Sequence, residues 1–170
     1  MTVTTVGQRA GAGVPRSPSE ALLIACARPA SVAEPSREVA DLALDPDVRW
    51  TSTATLAVWQ GVAPRLARCL VVSGASASVP NGVGERLQSA YLMTMARNLA
   101  LRRELERVVG ELNRQAIDVV LLKGSALVPL VHRDPGVRHM DDLDLLVHRD
   151  DLAHADRVIR ELGYLSLIHI

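Results

Sequence analysis

The sequence predicts an α+β chain: a helical N-terminal region followed by a small αβ core built on a mixed sheet. Three observations carry that reading. Apolar residues recur at helical spacing up to about residue 115, and near Ile117 the pattern changes to strand, turn, helix, strand, helix. Turn-forming residues, Gly124-Ser125 and Asp134-Pro135-Gly136, punctuate the second part. The boundaries that follow are a disordered tail over 1–18, a helical region over 19–115, and a core over 116–170 that is incomplete at its C-terminus.

Met1–Pro18 is rich in Gly, Pro and Ser with scattered arginines, which predicts a disordered tail. Ser19–Arg28 reads as the first helix, with Ser17 or Ser19 as its N-cap. Its apolar run, Ala21–Ala27, imitates a secretory signal, but the run is short and Glu20 abuts it, so that reading is set aside. A helix starting near Ser52 places Val58, Trp59, Val62, Leu66 and Leu70 on one face. Pro80-Asn81-Gly82 then breaks the chain. A long helix over Val83–Gln115 carries the stripe Leu87, Tyr91, Thr94, Asn98, Leu101, Leu105, Val108 and Leu112, which predicts packing within the same chain. Arg97, Arg102, Arg103, Arg107 and Arg114 alternate on it with Glu104, Glu106 and Glu111, the mixture of a solvated face. Beyond Ile117, Asp118–Leu122 is a buried strand, Ala126–His132 a short helix, Leu143 with Leu145–Val147 a second strand, and Asp151–Tyr164 a closing helix.

Composition excludes several classes of function. Nineteen basic and nineteen acidic residues cancel, so the overall charge announces no polyanionic partner and nucleic acid is not indicated. No stretch approaches the ~20 apolar residues of a membrane span, which predicts a cytoplasmic protein with no membrane partner. Cys26 and Cys69 fall in apolar helical patterns without metal-ligand spacing, and read as buried thiols in a reducing compartment.

The chemistry concentrates in Val119–Val147. Lys123 is the only lysine beside eighteen arginines, and it stands next to a glycine turn. Gly124 and Ser125, at the mouth of a strand and the start of a helix, offer backbone N–H groups and a hydroxyl to an anion, although such a pair is also an ordinary turn. Asp142 and Asp144, two apart on a strand, project on one face about 6.5–7 Å apart, with Leu143 turned to the buried side. Oxygen-only ligation at that spacing suits Mg²⁺, and the bland alternative is that Asp141, Asp142 and Asp144 cap a turn.

Gly-Ser, then an arginine, then Asp-x-Asp in this order resembles the DNA polymerase β-like nucleotidyltransferase superfamily. More narrowly, LLKG at Leu121–Gly124, an arginine, and DLDLLV at Asp142–Val147 resemble a bacterial nucleotidyltransferase family of that superfamily. The tryptophan-led segment Trp50–Leu70, the long helix running into LLKG, and a helix ending in LGY at Tyr164 extend the likeness over about Leu42–Tyr164. The resemblance implies that Asp142 and Asp144 bind catalytic Mg²⁺ and that Gly124 and Ser125 cradle the β- and γ-phosphates of a nucleoside triphosphate. It also implies that Arg138 neutralises phosphate charge, while Lys123 either reaches the triphosphate or only closes the strand. The implied reaction transfers a nucleoside monophosphate to an acceptor hydroxyl and releases pyrophosphate. Within the superfamily a third acid lies on a later strand, and here the chain ends six residues past Tyr164. The apolar run Leu165–Ile170 has no closing turn, which predicts a fragment of a longer protein. Two functions follow: an Mg²⁺-dependent nucleotidyltransferase with an unknown acceptor, or a catalytically inactive nucleotide-binding, regulatory or protein-interaction module. A sheet lacking later strands also predicts self-association through an exposed edge beside Asp142–Val147.

Overall fold

The computed structural model describes residues 17–28 and 36–165. The expected tail over 1–18 therefore falls almost wholly outside the described residues, as does the run after Leu165.

Helix α1 spans Pro18–Ala27 and begins with a capping box. Glu20 N–H donates to Ser17 Oγ at 3.3 Å and Ser17 N–H donates to Glu20 Oε2 at 3.0 Å, which selects Ser17 over Ser19 as the cap. A helix not read separately from the sequence, α2 (Arg37–Ala43), starts on Ser36, whose Oγ accepts from Val39 N–H at 3.3 Å. The single helix expected from Ser52 is two: α3 over Trp50–Trp59 and α4 over Ala63–Val72. Gly61 takes φ +69°, Gly61 N–H bonds Val58 C=O at 3.1 Å, and Val62 N–H bonds Ala57 C=O at 2.8 Å. That pair of bonds is a Schellman ending, and Pro64 opens the next helix. The break turns Trp59 outward, to 85% exposure, while Leu66 and Leu70 stay buried.

These four helices pack around Leu22, Val39, Leu66, Cys69 and Leu87. Cys26 and Cys69 are buried thiols, as expected, and face each other across α1 and α4. Cys69 Sγ donates to the Cys26 carbonyl at 3.6 Å. A hydrogen bond from Cys69, reinforced by burial, pushes the Cys26 thiol far above its ordinary value. Arg65 Nε and Nη2 donate to the carbonyls of Cys26 and Arg28, each at 2.7 Å, and so close the C-terminus of α1.

Helix α5 runs unbroken over Asn81–Arg114 and belongs to two cores. Its first part contributes Leu87 to the helical cluster, and its last part contributes Val108 and Leu112 to a second cluster with Ile117, Ala155 and Val158. Between them the expected stripe continues as buried Thr94 and Asn98, while Leu101 and Leu105 are only half-buried. Strand β1 (Val119–Leu121) pairs antiparallel with β2 (Leu145–Val147), in the register Val119↔Val147, Val120↔Leu146, Leu121↔Leu145. The expected mixed sheet is thus, among the described residues, a two-stranded antiparallel one, and both strands are shorter than the apolar runs that announce them. Val119, Leu145 and Val147 pack against this second cluster, leaving Val120 and Leu146 more than half exposed on the other face.

Helix α7 (Leu152–Glu161) supplies Ala155 and Val158 to that core and ends at Gly163, φ +94°, with a second Schellman pair: Gly163 to Arg160 at 2.9 Å and Tyr164 to Ile159 at 3.2 Å. Tyr164 then lies under the Arg107 guanidinium, 5.6 Å from ring centroid to charge, and hydrogen-bonds Glu104. No helix among the described residues is long and apolar enough to cross a membrane.

Candidate nucleotide site

The site begins where β1 ends. Lys123 takes φ +46°, a left-handed conformation unusual for a side chain of its length, and opens α6 (Lys123–Leu127). Gly124 and Ser125 therefore lie inside the first turn of a helix, not in a loop before one beginning at Ala126. The helix continues as a π-helical segment, Val128–His132, and stops at Arg133, φ +56°. A Cβ at Gly124 comes within 2.8 Å of Met140 Cγ and Sδ, so a side chain there would require Met140 to shift. Ser125 is 2% exposed, and its Oγ has no hydrogen-bond partner among the described residues.

The loop that follows is held almost entirely by α5. Asn98 Nδ2 donates to the carbonyls of Pro135 and Arg138, both at 2.6 Å. Arg97 Nε donates to Met140 C=O at 2.8 Å, and its Nη2 pairs with Asp141 Oδ1 at 2.9 Å. Tyr91 OH donates to both carboxylate oxygens of Asp134 at 3.1 and 3.2 Å, and Asp134 also accepts from Gly136 N–H and pairs with Arg68. Burial, and then the Asp134 charge, push the Tyr91 phenol above its ordinary value. Sequence reasoning missed these positioning residues. The available signal was the polar interruption of the stripe at Thr94 and Asn98, midway along a helix that otherwise buries apolar groups.

The loop delivers the three aspartates to different fates. Asp141 is taken up by Arg97 and by His139 Nε2 at 2.9 Å. Asp142 is exposed, in a bend before β2, and neither hydrogen bond nor ion pair engages it among the described residues. Asp144 extends the ladder by one step, its carbonyl accepting from Leu122 N–H at 3.0 Å. The two acids therefore precede the strand proper. Lys123 Nζ lies 3.0 Å from Asp144 Oδ1, and the hydrogen bond and charge of Asp144, with a smaller contribution from Asp142, hold the ammonium above the usual lysine range. Lys123 is thus brought to the two acids. Arg138 is exposed, and no hydrogen bond or ion pair joins it to Asp142 or Asp144 among the described residues; its charge acts on His132 instead. Among the described residues no three of His, Cys, Asp and Glu group as a metal-binding set.

A family model described as an uncharacterised nucleotidyltransferase matches residues 46–169, which is most of the chain and all of the site. The chain belongs to this nucleotidyltransferase family. Searches of curated proteins and of solved structures returned no match. Within the nucleotidyltransferase match lie α3 to α7, so the family unit includes the whole of α5 together with the loop it holds. Helices α1 and α2 precede the matched span, though they share the core of α3 and α4.

Proposed function

We propose that this nucleotidyltransferase transfers a nucleoside monophosphate from a nucleoside triphosphate to an acceptor hydroxyl in an Mg²⁺-dependent reaction. The acceptor oxygen bonds to the α-phosphorus, the bond from that phosphorus to the bridging oxygen breaks, and pyrophosphate leaves with the charge of that oxygen. The observation that carries the reading is the Lys123 ammonium lying on Asp144 and within electrostatic reach of Asp142. A cation already occupies the space beside the two carboxylates, and the donor set is oxygen only, which fits Mg²⁺. In this reading Asp142 and Asp144 hold the metal, whose chemistry is to neutralise phosphate charge and orient the triphosphate.

Lys123 balances the acids while no metal is bound and turns to the phosphates when one is. Gly124, Ser125 and Arg138 serve the phosphate chain, Gly124 by letting the backbone come close where a side chain would press on Met140. Arg97 contributes by pairing with Asp141, which offsets the charge of the third aspartate in the segment.

Calorimetric titration of Mg²⁺–ATP, and then of the other triphosphates, tests the reading. Binding that requires Mg²⁺ and disappears in Asp142→Asn/Asp144→Asn is expected. A folded protein that binds no triphosphate overturns it. Triphosphate binding without turnover favours the second reading, an inactive nucleotide-binding or regulatory module, for which the observation is that no three of His, Cys, Asp and Glu group as a metal-binding set among the described residues. We propose in addition that copies of the chain associate through the open sheet, where the paired side chains Val120 and Leu146 are 56% and 54% exposed. Sedimentation velocity of Val120→Thr/Leu146→Thr against wild type is expected to show a shift toward monomer.

A further inference from the structure

Helix α5 carries a second stripe, on the side opposite the buried Leu87, Thr94 and Asn98. Glu85, Ser89, Leu92, Ala96, Leu99 and Arg103 follow one another at intervals of four, three, four, three and four residues, so they stack along one face of the helix. All six are exposed, Leu92 at 52% and Leu99 at 42%, and the neighbouring Met93 is exposed as well. Single apolar residues on a surface are ordinary, but apolar residues in a run at this spacing form the seam by which two helices pack.

The stripe is complementary to its own reverse. Turned end for end, it sets Leu92 against Ala96, Leu99 against Ser89, and Glu85 against Arg103, because the members of each pair lie equally far from its midpoint. Each leucine then meets a small residue, the alternation that lets a seam close without voids, and each terminal charge meets its opposite. Neither Glu85 nor Arg103 has a hydrogen bond or ion pair among the described residues. Arg102, Arg107 and Arg114 of the same helix, by contrast, pair with glutamates one turn away. A parallel neighbour would place Glu85 on Glu85, Arg103 on Arg103 and Ala96 on Ala96, so charge and volume both select the antiparallel arrangement.

We propose that two copies of this chain pair antiparallel along α5, through a two-fold symmetric seam running from Glu85 to Arg103, about 27 Å of helix. The seam shares no residue with the open sheet at Val120 and Leu146, nor with Asp142 and Asp144, so it does not rest on the triphosphate reading. Arg97 and Asn98 leave the same stretch of α5 to hold the loop before the acids, so pairing braces the part of the helix that positions the candidate site.

Sedimentation velocity over a concentration series tests the proposal on the whole chain, in the Val120→Thr/Leu146→Thr background, so that association through the sheet does not enter. The association that remains in that background is expected to be a dimer. Glu85→Arg and Arg103→Glu, both on the exposed face, are expected to keep the melting temperature and each to weaken dimerisation at least about tenfold, since the two-fold repeats the altered pair. Mixing the two variants is expected to restore association, because each then supplies the charge that the other lacks. Leu92→Glu is expected to abolish it. Background protein that stays monomeric to about 1 mM overturns the proposal. Single charge variants that dimerise as tightly as the background, or a mixture of them that stays monomeric, overturn it as well.

Discussion

The two cores that share α5 differ in what they can do alone. The helical cluster buries side chains from α1, α2, α3, α4 and the start of α5, including Leu22, Leu23, Leu66, Leu70 and Leu87. The αβ cluster rests on Val108, Leu112, Ile117, Ala155 and Val158, under two three-residue strands whose outer face is open. A two-stranded sheet is marginal by itself. The region that carries the candidate chemistry is therefore the thinner one, and it is tied to the thicker one through α5, the Arg68–Asp134 pair and Val137, which is buried in the helical cluster. The larger core and the candidate site are divided along α5, with Tyr91, Arg97 and Asn98 reaching across the division to hold the loop.

The sharpest way to break this comparison is to cut each core in turn. Leu66→Ala and Leu112→Ala each delete a fully buried leucine, and each is expected to cost about 2–5 kcal/mol in denaturant unfolding. Hydrogen exchange separates them: Leu112→Ala should expose β1 and β2 amides while sparing α1 and α4, whereas Leu66→Ala should loosen both regions. Independent melting of the αβ region in Leu66→Ala defeats the idea of a tie between the cores. A smaller effect tests the link itself. Asn98→Ala removes both hydrogen bonds to the Pro135 and Arg138 carbonyls and is expected to cost about 1–3 kcal/mol, with the exchange confined to the loop.

Gly136→Ala reads the same link by sterics, because a Cβ there falls 2.3 Å from Tyr91 Cε2 and must push the ring off Asp134. A destabilisation of about 1–3 kcal/mol is expected, and Tyr91→Phe/Gly136→Ala should show non-additivity in a double-mutant cycle.

The smallest effect is pH-dependent. Burial first, and then the charges of Arg65 and Arg138, hold His132 below its ordinary value of 6.5. The unfolded chain takes up that proton first, so the stability present above pH 6.5 is lost as the pH falls through the lowered folded value. His132→Gln is expected to flatten the decline of melting temperature over that interval, and an unchanged slope removes His132 from the account.

Several of these elements were readable from residues. The long helix was expected over Val83–Gln115 and runs over Asn81–Arg114, because a stripe sustained for so many turns leaves little freedom. The first strand, the turn at Asp134-Pro135-Gly136 and the terminal helix were legible for the same local reasons. The split between α3 and α4 was missed because the apolar spacing runs through it, although Gly61 followed by Pro64 is the signature of one helix stopping and another starting. At the site, Lys123, Asp142 and Asp144 were legible as a group. That Arg97 and Asn98 hold the loop depends on contacts some forty residues apart, which no local pattern encodes.

Helix α5 is a rod of 34 residues, about 50 Å long at 1.5 Å per residue. Without a hinge, an angular error at its bundle end is multiplied along that length, so a tilt of one degree displaces the far end by about 0.9 Å. A misplacement of that order is enough to cost about a hundredfold in rate where reacting atoms must be aligned. Substitutions among α1 to α4, in the other core, thereby become errors of aim.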